Sequence, residues 1–262
     1  MMETPNCKWE IRERVAVITI DRPPMNTLSQ GTLFELEGIL DQVESDEAVG
    51  CLLITGAGDR MFSAGADVAE FGEMGGDRET AEKILKRMHD LFNRIEAFPK
   101  PVLACLNGKA LGGGNELQMA CHLTIAADTA ELGLPEVRLG IIPGYGGTQR
   151  LPRLIGRRRA LELMLSGRRI SAQIALEYGC INRTAPQEQV REEAFQWAKE
   201  LAAGPPIAMK GILDAVVRGS EADLSQGLSI ERENMLSVIG TEDAIEGVTA
   251  FFTKREPSFK GK

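Results

Sequence analysis

Short apolar runs alternate with stretches of helically spaced apolar residues over most of the chain. The run VAVITI at Val15–Ile20, closed by DRPP at 21–24, is typical of a buried strand that ends in a turn. Segment 33–43 carries apolar residues at helical spacing behind Ser29, a candidate N-cap, and so predicts an amphipathic helix. The same alternation predicts strands over 50–55, 101–106 and 123–126, and helices over 81–97 and 115–121. Strands that alternate with helices indicate the α/β class.

The pattern changes near residue 204. Helices are predicted over 171–179 and 190–203, and the sequence GPP at 204–206 then breaks the chain. Residues 207–252 carry helical patterns with hardly any strand signal, before a basic tail. We therefore expect a core at 1–203 and a helical C-terminal subdomain at 204–262.

Composition and charge exclude several classes of function. The 262 residues are 43% hydrophobic and 26% charged, which is ordinary for a globular protein, and the apolar runs are too short to span a membrane. The charged start of the chain does not resemble a secretory signal, so we expect a cytoplasmic protein. Five cysteines without a C-x-x-C pair and two histidines without H-E-x-x-H argue against a metal site. The net charge of −8 disfavours nucleic acid as a main partner.

Two glycine-containing turns could donate backbone N–H groups to a negative charge. In NGKALGGGNE at 107–116, three glycines follow a predicted strand and precede a helix, so amides are exposed at the helix N-terminus. A tight turn explains these glycines equally well, and the spacing fits neither of the common nucleotide-phosphate motifs. The second turn, FSAGAD at 62–67, could present the amide of Ala66, although an ordinary loop is the simpler interpretation. Two amides from separate loops would stabilise a thioester oxygen as it becomes an enolate.

Two glutamates are candidate acid–base groups. Glu116 lies two residues beyond the glycines, where it could also serve only as a helix cap. Glu136 stands in an apolar stretch that could raise its pKa by burial, although a solvent-facing loop residue is the alternative. The segment GYGGTQR at 144–150 offers a flexible turn, and the arginines at 157–159 on the following helix form a solvated face.

In this order and spacing, these elements resemble the crotonase superfamily, the enoyl-CoA hydratases and isomerases. The most specific segments are SAGAD at 63–67, N-G-x-x-x-G-G-G-x-E at 107–116 and P-E-x-x-x-G-x-x-P-G-x-G-G-T-Q-R at 135–150, and the likeness covers nearly the whole chain. The resemblance implies a spiral of repeated ββα units with a C-terminal helical trimerisation subdomain. It also implies a homotrimer or a homohexamer.

The resemblance implies an enoyl-CoA hydratase that adds water to a 2-enoyl-CoA thioester. Glu116 and Glu136 would hold the water, with Glu116 activating it and Glu136 supplying the proton to C2, and the amides of Ala66 and Gly113 would form the oxyanion hole. No bound cofactor is implied, since coenzyme A arrives as part of the substrate. The resemblance also implies a set of acyl-CoA contacts: Met25, Ala64, Ala66, Asp67, Val68, Ala69, Gly112 and Gly113.

Three positions depart from the family pattern. His122 stands where an aspartate is frequent, Pro24 where a lysine near the coenzyme is common, and Leu134 where a glutamine is frequent. The last two affect substrate contacts, so acyl preference stays open. Other reactions of the superfamily remain as alternatives, among them double-bond isomerisation, thioester hydrolysis, decarboxylation and hydration of dienoyl or cyclic acyl groups. A non-catalytic RNA-binding relative is a further alternative.

Overall fold

Two β-sheets form the framework of the protein. The computed structural model describes residues 5–67, 69–70 and 77–262. Within these residues the larger sheet has six strands in the order β1-β2-β3-β5-β7-β10, namely Cys7–Arg12, Val15–Ile20, Cys51–Gly56, Val102–Leu106, Leu123–Ala127 and Arg183–Ala185. The smaller sheet, counted over the same residues, has four in the order β4-β6-β8-β9, namely Met61–Ser63, Lys109–Leu111, Glu131–Gly133 and Arg169–Ser171.

The larger sheet is parallel except at one edge. Strand β1 pairs antiparallel with β2, and β2, β3, β5, β7 and β10 run parallel to one another. The central strands β3 and β5 are buried along their whole length, as their uninterrupted apolar sequences predict. Strand β1 was not predicted from the sequence, because its charged residues hide the alternation of a half-exposed edge strand.

Each of three parallel strands continues into a short strand of the smaller sheet. β3 leads to β4, β5 to β6 and β7 to β8, which makes the chain a succession of ββ units with helices between them. β4, β6 and β8 are themselves parallel neighbours. Because the carboxyl ends of parallel strands lie at one edge of a sheet, the turns that follow these three strands converge.

Helices cover the two sheets and make up the C-terminal region. Those with both ends inside the described residues are α1 Gln30–Glu44, α2 Arg78–Glu96, α3 Gly113–Ala120, α4 Gly147–Ile155, α5 Arg157–Ser166, α6 Ala172–Tyr178, α7 Val190–Ala202, α8 Pro206–Ser220, α9 Leu224–Val238 and α10 Glu242–Thr253, with a 3-10 helix at Glu136–Leu139. Ser29 caps α1 by accepting from the Thr32 amide, as predicted. The prediction of a flexible turn over 144–150 was wrong in part, because helix α4 already begins at Gly147.

The C-terminal helices differ from the rest in their exposure. Helices α8 and α9 pack mainly against each other, and many of their apolar side chains, with those of α10, face outward. The most exposed are Ile212, Val216, Leu224, Met235, Leu236, Ile239, Ile245, Val248, Phe251 and Phe252. Within the described ranges no helix is both long and apolar enough to cross a membrane.

Candidate active site

The segment that joins β3 to β4 is held in place by two buried asparagines. Asn107 accepts from the Gly56 amide at 2.9 Å and donates to the Gly58 carbonyl at 2.6 Å, which ties the end of β5 to the end of β3. Asn26 donates to the carbonyls of Ala57 at 3.0 Å and Met61 at 2.8 Å. These hydrogen bonds fix both side chains, and they also fix the backbone that leads through β4 to Ala66.

Two backbone amides from different turns lie side by side at the strand ends. An ideal Cβ built on Gly65 would lie only 2.4 Å from the Gly113 nitrogen, and one built on Gly113 would lie 3.3 Å from the Ala66 nitrogen. Among the described residues, neither the Ala66 nor the Gly113 amide donates to a protein acceptor. Gly113 also opens helix α3, whose dipole favours negative charge at this end. The pair can therefore bind an oxyanion.

The glycines around these amides are required by close approach of the chain. A Cβ on Gly114 would lie 2.2 Å from the Ser63 carbonyl oxygen, a contact that the backbone cannot relieve without moving. Gly112 has φ 54° and ψ −130°, and a Cβ there would lie 2.9 Å from Glu136 Oε1. The glycine run is thus a tight turn, as the simpler interpretation held, and that turn brings two loops and a carboxyl group together.

Glu116 is buried in the first turn of α3 and makes no capping hydrogen bond to that helix. Its side chain is 1% exposed, and its Oε1 accepts from the amides of Tyr145 at 2.8 Å and Gly147 at 2.7 Å. The alternative of a simple helix cap is therefore wrong. The pKa of Glu116 is raised from 4.5 to about 7. Burial is the main cause and the nearby charge of Glu136 adds to it, while the two amides and Arg150 act in the opposite direction.

Glu136 is the second carboxyl group of the site. It begins the 3-10 helix after β8 and is 9% exposed, so the alternative of a solvent-facing loop residue is also wrong. Burial raises its pKa, and a hydrogen bond from its own backbone amide opposes this shift. Its Oε2 is buried without a partner among the described residues. A carboxyl group with a raised pKa and an unpaired oxygen can exchange a proton with a bound molecule.

The remaining residues of the expected acyl-CoA set lie around the turn after β4. The Met25 carbonyl accepts from the Ala64 amide at 3.0 Å, and the Met25 side chain is 41% exposed. Asp67 forms an ion pair with Arg22 at 2.5 Å and accepts from the Ala69 amide at 3.1 Å. Val68 lies outside the described residues.

Sequence reasoning missed Arg150, which fixes the loop that holds Glu116. Arg150 is only 8% exposed, and its guanidinium donates to Glu96 at 2.7 Å, to Asn93 at 2.8 Å and to the Tyr145 carbonyl at 3.4 Å. An arginine directly after a glycine-rich turn was the available signal, but its partners on α2 lie more than fifty positions away in the sequence. Arg150 thereby links helix α2 to the loop that carries the Tyr145 and Gly147 amides.

Comparison with known proteins identifies the class to which this fold and site belong. The family model described as "Enoyl-CoA hydratase/isomerase" matches residues 10–262. The chain is 45% identical to a probable enoyl-CoA hydratase of Bacillus subtilis over 95% of this chain and 96% of that protein. It is 39% identical to a short-chain-enoyl-CoA hydratase of Clostridium acetobutylicum, with 97% of each covered. A crystal structure of enoyl-CoA hydratase from Bacillus anthracis superimposes with a TM-score of 0.93 at 42% identity, over 98% of this chain and 100% of that one.

The chain belongs to the enoyl-CoA hydratase/isomerase family. The expected α/β crotonase fold is thereby confirmed, and so is the resemblance drawn from the sequence motifs. Members of this family act on coenzyme A thioesters. The paired amides and the two buried carboxyl groups therefore lie in a family whose substrates carry a thioester.

Proposed function

We propose that this chain is a hydro-lyase, an enoyl-CoA hydratase that adds water reversibly across the C2=C3 bond of a 2-enoyl-CoA to give a 3-hydroxyacyl-CoA. The observation that carries the proposal is that two buried carboxyl groups, Glu116 and Glu136, lie near two amides that have no acceptor among the described residues. Hydration needs both parts of this arrangement, because charge develops on the thioester oxygen while a proton reaches C2 and a hydroxyl reaches C3.

In this mechanism the amides of Ala66 and Gly113 bind the thioester oxygen and stabilise the enolate that forms there. The water oxygen bonds to C3, one water proton passes to a carboxylate, and C2 takes a proton from the carboxyl pair. We assign water activation to Glu116, since its Oε1 is held by two amides and its Oε2 is left to bind water. Glu136 then supplies the C2 proton. The two groups titrate as a pair that holds one proton in the active form.

Loss of the crotonyl-CoA absorbance on mixing with the protein tests the reaction directly. Glu116→Gln and Glu136→Gln each remove a proton-transfer group without changing its size, so kcat should fall by about 10²–10⁴ in each variant. Glu200→Gln is the matched control, because this exposed glutamate on α7 lies outside the candidate site. Unchanged rates in both site variants would refute the assignment.

The family name also covers isomerases, so product identity must be measured. Mass spectrometry on products from a panel of linear, dienoyl and cyclic acyl-CoA thioesters distinguishes the reactions. Hydration adds the mass of one water, isomerisation leaves the mass unchanged, and hydrolysis releases free coenzyme A. If no enoyl thioester in the panel gains the mass of water, hydration is refuted, and the observed mass change identifies the reaction that takes its place.

For substrate binding we propose that the acyl-CoA passes along the turn after β4, bordered by Met25, Ala64, Asp67 and Ala69. The Arg22–Asp67 ion pair supports this segment, since it fixes the loop at the edge of the site. Coenzyme A enters with the substrate and no permanent cofactor is required. An Asp67→Asn variant should raise KM for crotonyl-CoA more than it lowers kcat, because it loosens a binding loop and leaves both glutamates in place.

We further propose that residues 204–262 form an oligomerisation subdomain and that the protein is a homotrimer or a pair of trimers. Supporting this, α8, α9 and α10 expose many large apolar side chains, more than a lone monomer usually leaves in water. Light scattering should give a trimer or hexamer mass, and a monomer would contradict the proposal. A cytoplasmic location and the absence of a nucleic acid partner remain predictions from the sequence.

A further inference from the structure

The Tyr145 ring lies against the glycine that carries one of the two paired amides. An ideal Cβ on Gly113 would lie 2.8 Å from Tyr145 Cδ2 and 3.0 Å from Cε2. The ring also packs edge-to-face with Phe92 of α2, with 6.2 Å between ring centroids and 88° between planes. Both aromatic residues are buried. The Tyr145 ring is therefore held between the oxyanion turn and the core.

The same residue is anchored to the carboxyl pair through its backbone. Its amide donates to Glu116 at 2.8 Å, and its carbonyl accepts from Arg150 at 3.4 Å. Burial raises the pKa of the Tyr145 phenol, and the charges of Glu116, Glu70 and Glu136 act in the same direction. The phenol is thus a neutral group near the carboxyl groups of the site.

These contacts place Tyr145 next to both parts of the site. A Cβ on Gly112 would lie 2.9 Å from Glu136 Oε1, and Glu116 accepts from the Tyr145 and Gly147 amides. A substrate with its thioester oxygen on the Gly113 amide and its C3 beside Glu116 therefore has Tyr145 next to the carbons that follow C3. Leu134 is fully buried in the same region, with its Cδ1 3.0 Å from where a Gly147 Cβ would stand.

We propose that the Tyr145 side chain is the end wall of the acyl subsite and restricts the enzyme to short, linear 2-enoyl-CoA substrates. This inference rests on the proposed hydratase function. A buried ring packed against Gly113 and Phe92 cannot swing aside for a longer chain, because the protein interior around it is close-packed. A substrate with several further methylene groups therefore meets the ring.

The test compares kcat/KM for crotonyl-CoA and for trans-2-decenoyl-CoA. We expect the wild-type protein to favour crotonyl-CoA by at least about tenfold, and Tyr145→Ala to lower that preference about tenfold by opening the subsite. Tyr145→Phe keeps the ring and should hold the preference within about threefold, which separates the ring from its hydroxyl. Tyr178→Ala is the matched control, since this half-buried tyrosine stacks on Arg159 outside the site.

The possible outcomes separate the two proposals. The role of Tyr145 is overturned if the wild-type protein hydrates both substrates with equal efficiency. It is also overturned if Tyr145→Ala keeps the wild-type preference for crotonyl-CoA. If circular dichroism shows that Tyr145→Ala does not fold, Tyr145→Leu replaces it, because leucine retains much of the buried area. A wild-type protein that hydrates no enoyl-CoA overturns the proposed function and this inference with it.

Discussion

Replacing Glu116 with glutamine is expected to stabilise the folded protein at alkaline pH while it removes activity. Burial raises the pKa of Glu116 from 4.5 to about 7, so the folded chain holds this proton more tightly than the unfolded chain does. Between these two values the folded state binds more protons, and the free energy of unfolding falls as the pH rises. Above about pH 7 the wild-type protein bears the full cost of a buried charge.

The size of this effect follows from the pKa shift. A shift from 4.5 to about 7 corresponds to about 3 kcal/mol, since each pKa unit is worth about 1.4 kcal/mol. Glutamine has the shape of the protonated carboxyl group and can still accept from the Tyr145 and Gly147 amides. The variant should therefore avoid the cost, and its Tm should exceed that of the wild type by about 5–10 °C above about pH 8.

Thermal unfolding at matched protein concentrations measures the difference, because the Tm of an assembly depends on concentration. Near about pH 5, where the folded wild type keeps this proton, most of the difference should be absent. Glu200→Gln on the exposed face of α7 controls for the general effect of removing a carboxylate. A stabilisation that is equal at both pH values, or a wild type more stable than the variant at alkaline pH, would show that Glu116 does not bear a buried charge.

Three further predictions follow from the same geometry. The pH profile of kcat/KM should be bell-shaped, because the carboxyl pair is active with one proton, and a rate that rises steadily with pH would contradict a shared proton. Gly114→Ala should destabilise the fold by about 3 kcal/mol or prevent folding, since its Cβ would meet the Ser63 carbonyl at 2.2 Å. Gly38→Ala in α1 is the control: nothing lies within 4 Å of its Cβ position, so it should stabilise the fold by about 0.5–1 kcal/mol. Denaturant unfolding measures both variants. Arg150→Gln should lower kcat for crotonyl-CoA about tenfold with a smaller change in KM, because it removes the ion pair with Glu96 and loosens the loop that holds Glu116. An unchanged kcat would mean that the loop needs no such support.

The four central strands of the large sheet could be predicted from the sequence, whereas its edge strands β1 and β10 and the small sheet could not. Strands such as Cys51–Gly56 and Val102–Leu106 are continuous apolar runs, because a parallel sheet buries both faces. The strands of the small sheet, such as Met61–Ser63 and Lys109–Leu111, have three residues each and carry no periodic signal. Their pairing depends on the tertiary arrangement of the ββ units.

Within the candidate site, the residues of the sequence motifs were recognisable and their partners were not. The sequence offered Glu116 as a helix cap, but its hydrogen bonds go to amides 29 and 31 positions away, at Tyr145 and Gly147. No local pattern encodes such a contact. The burial of Glu136 was one of two open alternatives for the same reason, since exposure depends on what packs over the loop.

The motifs are specific because several of their glycines are in close contact with different segments of the chain. Gly114 approaches the Ser63 carbonyl, Gly112 the carboxyl group of Glu136, and Gly147 the carboxyl group of Glu116. A side chain at any of these positions would push two parts of the site apart. The positions of these glycines in the sequence therefore follow from how the ββ units pack together. That is why three segments that each had an ordinary explanation predict one active site when they occur together in this order.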